Sequence, residues 1–386
     1  MKKLLFTLFA SAFFFMFAIS QQKTVPVFIS GKDGYKSYRI PAIIRLPDND
    51  LLAFCEGRVK GSADYGDVDI VMKRSSDEGK TWSALKKVVD NNTAQAGNPA
   101  PVIDLTDPAF PHGRIFLFYN TGNNNESEIR KGNGLREVWY VTSTDNGVTW
   151  SDAINITQQV HKPKQPAINV SYNFKEDWRS YANTPGHAMQ FSEELYKGRI
   201  YVAANHSEGE PQQDFSDYES HAFYTDDHGK TFHLSDDVNV PGSNESTATE
   251  LSNNRLMMNM RNQKGNIKSR IVGISNNGGK TWDTTYFDKN LPDPVCEGSI
   301  LTMGKKNQKD IIAFCNNADT VKRDNLTLRI SFDEGKTWAK DYVIDKTGIN
   351  NNTAYSDIVK LNDKTIGVLY EKNNYSSIVF TYVKWQ

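Results

Sequence analysis

The feature that most constrains this chain is an eight-residue stretch written five times. SSDEGKTW (75–82) returns as STDNGVTW (143–150) and SFDEGKTW (331–338), and more loosely as TDDHGKTF (225–232) and SNNGGKTW (275–282). Each copy reads as a turn between two strands. The Asp side chain accepts backbone N–H groups within the loop, the Gly supplies positive φ, the Thr restarts a strand and the aromatic residue packs inward. Asn277 stands in the Asp position of the fourth copy, and Thr225 and Phe232 bound the third. The copies begin 68, 82, 50 and 56 residues apart, and the intervals hold short β-rich runs such as GRIFLFYN, REVWYVTS, GRIYVAAN and TIGVLYEK between Gly, Asn, Asp and Pro clusters. No amphipathic helix is expected after the first twenty residues. Four-strand units of this kind cannot bury their faces alone and are best satisfied by radial stacking. The expected fold is therefore all-β, a six-bladed β-propeller forming a single domain over residues 21–386. Five blades come from the boxes and one from the terminal strands. A parallel β-helix is the competing architecture, but its repeats are shorter and more regular.

Residues 1–20, MKKLLFTLFASAFFFMFAIS, carry two lysines, an apolar run and small residues before Gln21. That is the pattern of a secretory signal peptide cleaved after Ser20, so the chain is expected to be exported, periplasmic or secreted. The run is short for a membrane span and has no stop-transfer flank, and no later segment is apolar enough to cross a bilayer. Stable membrane insertion after cleavage is not expected. A net charge of −1 with 24% charged residues supplies neither the basic surface that nucleic acid requires nor an acidic tail. Cys55, Cys296 and Cys315 sit in apolar runs and read as small buried hydrophobes. No metal-ligand spacing appears, and no cofactor is implied.

The second informative stretch is YRIP (38–41), an arginine at the mouth of an apolar strand, where its charge is costly unless it meets an anion. Boxes of this type together with an N-terminal Y-R-I-P resemble the exo-α-sialidases, six-bladed propellers that remove terminal sialic acid from glycans. The resemblance runs from about residue 26 to the end of the chain. It implies that Arg39, Arg261 (MNMRN) and Arg323 (VKRDN) form a triad gripping the sugar carboxylate, with Arg329 the neighbour most easily confused with Arg323. Planar guanidinium forks bind carboxylate oxygens in pairs. Glu371 (LYEK) matches a carboxylate that steadies the first arginine.

The same resemblance makes Tyr355 (NNTAYSDI) the nucleophile and Glu245 (SNESTATEL) its base. A phenol suits an anomeric carbon that already bears a carboxylate, since an anionic nucleophile would approach against like charge. An unperturbed pKa of about 10 then demands a base. Glu250 is the rival of Glu245, which lies at the family's spacing of sixteen residues before Arg261. Asp64, six residues after the active-site arginine Arg58, matches the acid; Asp67 and Asp69 compete with it, Asp69 as a structural strand residue. Asn98 (GNPAPV) and Gln190 (NTPGHAMQF) resemble residues near the sugar ring, and His187 is given no role. Trp139 and Trp178 are either a glycan platform or core. The implied partners are sialylated glycans. Transfer to a sugar acceptor or to an internal hydroxyl would use the same residues, whereas a glycan-binding propeller without catalysis would lack the acid or the nucleophile pair.

Overall fold

A computed structural model of the protein describes residues 24–346, 348 and 351–385; the signal peptide expected over residues 1–20 lies outside them. The strands are β1 (Val25–Ile29), β2 (Ser37–Arg45), β3 (Leu51–Arg58), β4 (Val68–Ser75), β5 (Lys86–Val89), β6 (Gln95–Asp104), β7 (Arg114–Gly122), β8 (Arg136–Ser143) and β9 (Ile154–Asn155). The chain continues through β10 (Trp178–Asn183), β11 (Met189–Gln190), β12 (Ile200–Glu208), β13 (Tyr218–Thr225), β14 (His233–Leu234), β15 (Ser243–Leu251), β16 (Arg255–Asn262), β17 (Ser269–Ser275) and β18 (Thr284–Pro292). It closes with β19 (Gly298–Lys306), β20 (Lys309–Asn317), β21 (Leu326–Ser331), β22 (Lys340–Asp345), β23 (Ser356–Asn362), β24 (Thr365–Lys372) and β25 (Ser377–Lys384). The described residues also include two one-turn helices, α1 (Glu126–Arg130) and α2 (Thr157–Val160). Both are short excursions between strands, with too few residues for an amphipathic stripe. No helix among the described residues is long and apolar enough to cross a membrane.

The strands form five hydrogen-bonded sheets rather than six separate ones. Sheets β15–β18 and β19–β22 are sequential meanders, β10 to β14 form a third, and β23–β25 are completed by the N-terminal β1. The fifth sheet has eight strands because β4 and β6 meet in one parallel pair, Val68 with Gln95. This single contact joins the four strands β2–β5 to the four strands β6–β9.

Packing closes these units into a ring. Strands β2, β6, β15, β19 and β23, with β10 and β11, are the innermost of their units; β6 meets β2, β10 and β11, β12 and β13 of that third sheet meet β15, and β19 and β23 carry the ring back to β2. Separate apolar clusters fill the seams, such as Phe118, Val202 and Phe223 between the eight-stranded sheet and its successor. Closure is made by Phe28, Tyr38, Ile43 and Phe380, which bring together strands from both ends of the chain. All three cysteines are buried and free, as small hydrophobes.

The boxes serve this closure. In the first, Ser75 Oγ accepts from Gly79 N at 2.8 Å, Asp77 Oδ1 from Thr81 N at 2.9 Å, and Asp77 Oδ2 from the Thr81 hydroxyl at 2.7 Å. The two irregular copies keep the arrangement. Thr225 Oγ1 accepts from Gly229 N at 2.9 Å; Asn277 Oδ1 accepts from Thr281 N at 3.0 Å, and its Nδ2 donates to Thr281 Oγ1 at 2.8 Å. Gly79 has φ +84°, and a Cβ placed there would lie 2.1 Å from Phe380 of the adjoining sheet. At Gly335, φ +78°, a Cβ would lie 2.6 Å from Met257. Glycine is thus needed twice over, for its backbone angle and for the close approach of a neighbouring sheet.

Candidate active site

The pocket opens where the innermost strands begin, and there the ladders are irregular. The register shifts between Arg39 and Ala42 in β2, between Gly97 and Ala100 in β6, between Trp178 and Tyr181 in β10, and between Ser243 and Ser246 in β15. A bulge takes a residue out of the ladder and re-aims its side chain. Four neighbouring inner strands therefore turn polar side chains toward one axis. Ile40 (φ +60°) and Asn98 (φ +53°) hold left-handed backbone there, at a cost on the order of 1–3 kcal/mol each. Ile40 is held by its N–H donating to Glu371 Oε1 at 2.9 Å, and Asn98 by its N–H donating to Glu56 Oε1 at 2.9 Å.

The resulting cavity of about 350 Å³ is lined by Arg39, Arg58, Asp64, Asn98, Glu245, Arg261, Arg323 and Tyr355, with Tyr375, Gln95, Arg136, Glu126 and Tyr218 around them. At its floor the Tyr355 hydroxyl donates to Glu245 Oε1 at 2.5 Å. Arg261 Nη1 bridges the pair, 2.7 Å from Glu245 Oε2 and 3.0 Å from the Tyr355 oxygen. The guanidinium carbons of Arg39 and Arg323 lie 5.4 and 5.5 Å from the centre of the Tyr355 ring. Arg39 Nε is bound to Glu371 Oε1 at 2.6 Å, and its guanidinium stacks on Tyr375 at 3.9 Å. Arg323 makes only long contacts, 3.4 Å to the Tyr375 hydroxyl and 3.4 Å to the Val295 carbonyl. Among the described residues no ion pair of Arg323 within 4.0 Å is present.

Glu371 is the hub of this floor. Fully buried, it accepts from Arg39 and Ile40 through Oε1, and through Oε2 from Tyr355 N at 3.2 Å. One carboxylate thus fixes both the first arginine and the backbone of the tyrosine. At the rim, Arg58 is clamped by Glu56 at 2.5 Å and donates to Asp64 Oδ1 at 2.7 Å. Asp64, with its side chain 77% exposed, also lies 4.0 Å from Arg39 Nη1.

Electrostatics separates the acids. Burial, and then the Glu245 carboxylate, push the Tyr355 phenol well above its usual value, against the pull of Arg261 and Arg323. The phenol is therefore neutral at neutral pH and needs a base to become nucleophilic. For Asp64, desolvation pushes the carboxyl up, but the charges of Arg58 and then Arg39 outweigh it and leave the carboxyl below its usual range.

The residues expected from sequence are brought together here with one exception. Gln190 is corrected: it lies at the opposite opening of the ring, where its Nε2 donates to Asp104 Oδ1 at 2.7 Å. The inner strand of that sheet is broken, so that β10 pairs with the distal half of β12 and β11 with its start, Gln190 opposite Ile200. The rivals fall outside the pocket. Glu250 accepts from Ser192 and Glu193, Asp69 holds Tyr35 and Lys87, Asp67 lines a separate surface depression, and Arg329 pairs with Asn316 and Asp341. Trp178 is core, stacked on His206 at 3.5 Å, and Trp139 packs in another seam. Sequence reasoning missed Glu56, Tyr375 and Glu297. The last is buried beneath the pocket with Oε2 accepting from Ser356 N at 2.9 Å, and burial pushes its carboxyl well up. Glu297 directly precedes β19 and carries no local signal, whereas Glu56 is two residues from Arg58 and was findable as its partner.

The family described as BNR repeat-like domain matches residues 49–368. The chain belongs to this family. Over 363 residues it is 30% identical to a sialidase of Micromonospora viridifaciens, covering 89% of this chain and 51% of that protein. Over 381 residues it is 27% identical to a sialidase of Bacteroides fragilis (strain YCH46), covering 92% and 63%. The chain thus spans about half to under two thirds of the length of these curated relatives. Among solved structures it is similar to the Hadza microbial sialidase Hz136, with a TM-score of 0.76 at 23% identity over 94% of this chain and 68% of that one. The fold is accordingly an all-β propeller, and the family resemblance read from YRIP and the boxes holds for this BNR-repeat chain.

Proposed function

We propose that the chain is an exo-α-sialidase that hydrolyses terminal α-ketosidically linked sialic acids of glycoproteins, glycolipids and oligosaccharides with retention of configuration. In this reading the eight-stranded sheet counts as two blades, giving a six-bladed propeller over residues 21–386, and the chain is exported after cleavage behind Ser20. The single observation that carries the reading is the Tyr355 hydroxyl 2.5 Å from Glu245, beside three guanidinium groups.

Arg39, Arg261 and Arg323 bind the substrate carboxylate, which places the anomeric carbon over the Tyr355 oxygen. As that oxygen bonds to the anomeric carbon, Glu245 takes the phenol proton. The glycosidic C–O bond breaks, and its oxygen leaves with the proton of Asp64. Water then attacks the same carbon from the vacated side and gives a proton to Asp64. The tyrosyl C–O bond breaks, and the phenol recovers its proton from Glu245. Two displacements give net retention. Asp64 is ionised by Arg58 and Arg39 before substrate binds, so the substrate carboxylate, by drawing on Arg39, raises the proton affinity that the first step requires. Glu371 holds Arg39, and Arg58 and Asn98 shape the wall.

The test is proton NMR of the chain with α-linked sialyl-lactose, alongside Tyr355→Phe. The α anomer of sialic acid is expected first, and the variant should lose most turnover while remaining folded. Release of the β anomer first, or a Tyr355→Phe variant with undiminished turnover, would overturn the reading.

A further inference from the structure

Behind the wall formed by Ser180 and Tyr181 lies a buried polar cluster that the proposed reaction does not use. His206 on β12 and His221 on β13 face each other through their Nδ1 atoms at 3.1 Å, both essentially without solvent contact. The strand register explains the meeting. Ala204 pairs with His221 and His206 with Glu219, so the two histidines are diagonal neighbours on one face of the sheet. The segment after β14 continues along β13, with Val238 N donating to Ser220 O at 2.9 Å. It brings a carboxylate oxygen of Asp237 to 4.0 Å from His206 Nδ1. The three donor atoms lie within 4.8 Å of one another. With its side chain 33% exposed, Asp237 is also the point of access from solvent.

We infer that His206, His221 and Asp237 bind one divalent transition-metal cation of the zinc class. Two imidazoles and a carboxylate suit zinc and its neighbours, whereas calcium and magnesium prefer oxygen alone. Metal–ligand bonds of about 2.0–2.2 Å in tetrahedral geometry put donor atoms roughly 3.3 Å apart. The histidine pair is already near that spacing, and only the Asp237 carboxylate has to close in. A further observation points the same way. The carboxylates of Glu219, Glu208 and Asp236 bear on Asp237, and the Lys162 ammonium that opposes them is already paired with Glu176 at 3.1 Å. A bound cation would neutralise the excess. The other grouping of this kind, Asp104, Asp107 and His228, is satisfied internally by His228–Asp104 at 2.8 Å and Arg114–Asp107 at 2.9 Å.

The role is structural. His206 stacks on Trp178, and β10 carries Ser180 and Tyr181 into the pocket wall, so a cation tying β12, β13 and the Asp237 segment together would stiffen that wall from behind.

The experiment is calorimetric titration of the full chain, stripped with chelator, with zinc chloride. One equivalent should bind, His206→Gln and Asp237→Asn should each weaken binding more than tenfold, and His228→Gln should leave it unchanged. Cobalt(II) should give visible d–d bands in the native chain that His206→Gln abolishes. Asp237→Asn, at the partly exposed member, keeps the test open should the buried histidine variant fail to fold. Absence of zinc binding, binding indifferent to both His206→Gln and Asp237→Asn, or binding lost in His228→Gln would each overturn the inference.

Discussion

Replacing Glu371 by Gln tests the organisation of the pocket floor, because the shape is kept while the charge and one acceptor are lost. Glu371 receives three donors: Arg39 Nε at 2.6 Å, Ile40 N at 2.9 Å and Tyr355 N at 3.2 Å. A glutamine carbonyl oxygen can retain the first two. Its amide then faces Tyr355 N–H, donor against donor. Loss of the charge-assisted contact to a buried arginine removes about 1.5–3 kcal/mol, and an unsatisfied buried N–H costs a further 1–3 kcal/mol or so. The sum agrees with the roughly 3–5 kcal/mol typical of breaking a buried ion pair. Arg39 then has no fixed place beside Tyr355, and a displacement of about 1 Å costs on the order of a hundredfold in rate. Urea unfolding followed by tryptophan fluorescence should therefore show a loss of about 3–5 kcal/mol at unchanged slope, and kcat/KM on an aryl α-sialoside should fall at least a hundredfold. A Glu371→Gln protein within about 1 kcal/mol of the parent, or within tenfold of its activity, would refute the hub role.

Three further outcomes follow from the same geometry. Asp64→Asn should depress kcat/KM for sialyl-lactose by roughly 10²–10⁴ but affect an aryl sialoside far less, since a phenolate leaves without protonation; equal losses on both substrates would remove Asp64 as the acid. Asp77→Ala should cost about 1–2 kcal/mol from its lost hydrogen bonds, while Asp77→Asn should cost little, because Asn277 makes the same turn without charge. Hydrogen bonds from Thr81 pull the Asp77 carboxyl down to about 2. A lowered folded value means that its contribution is present above the ordinary carboxyl range and is lost as pH falls through about 2, so acid unfolding of Asp77→Asn should be less steep there; identical acid curves would count against the turn. Gly79→Ala forces both a positive φ and a contact with Phe380, and a thermal melt should show about 2–4 kcal/mol of destabilisation; a neutral variant would mean that this seam is loose.

The architecture was legible wherever it depends on local hydrogen-bond chemistry. The boxes predict their own turns because Ser75, Asp77, Gly79 and Thr81 satisfy one another within seven residues. The helical turns and the fusion of two strand groups through Val68 and Gln95 were not legible, since both depend on where a neighbouring segment arrives. The site shows the same division. Arg39, Asp64, Glu245, Arg261, Arg323, Tyr355 and Glu371 each sit in a recognisable context and converge. Gln190 failed because the break between β10 and β11 carries it past the pocket to the other opening. Tyr375 and Glu297 were missed because their roles arise between sheets, the first beneath Arg39 and the second under Ser356.

The arrangement also explains why the polar floor is spread over so many strands. Arg39, Glu245, Arg261, Arg323 and Tyr355 come from separate points of the chain, and three of the five are positive charges held around one phenol. Packed on one strand they would repel each other with nothing to fix their distances. The ring instead brings them in from separate elements, Arg39 on β2, Glu245 on β15, Arg261 on β16, Arg323 in the β20–β21 connection and Tyr355 just before β23, and two of the arginines meet a carboxylate there, Arg39 at Glu371 and Arg261 at Glu245. Arg323, which meets no carboxylate within 4.0 Å among the described residues, supplies the surplus charge that an incoming anion meets, and burial of Tyr355 makes that attraction stronger than it would be in water. The same burial raises the phenol's proton affinity. In the proposed reaction, affinity for an anion and the need for a base, there Glu245, are thus two consequences of one arginine-lined floor.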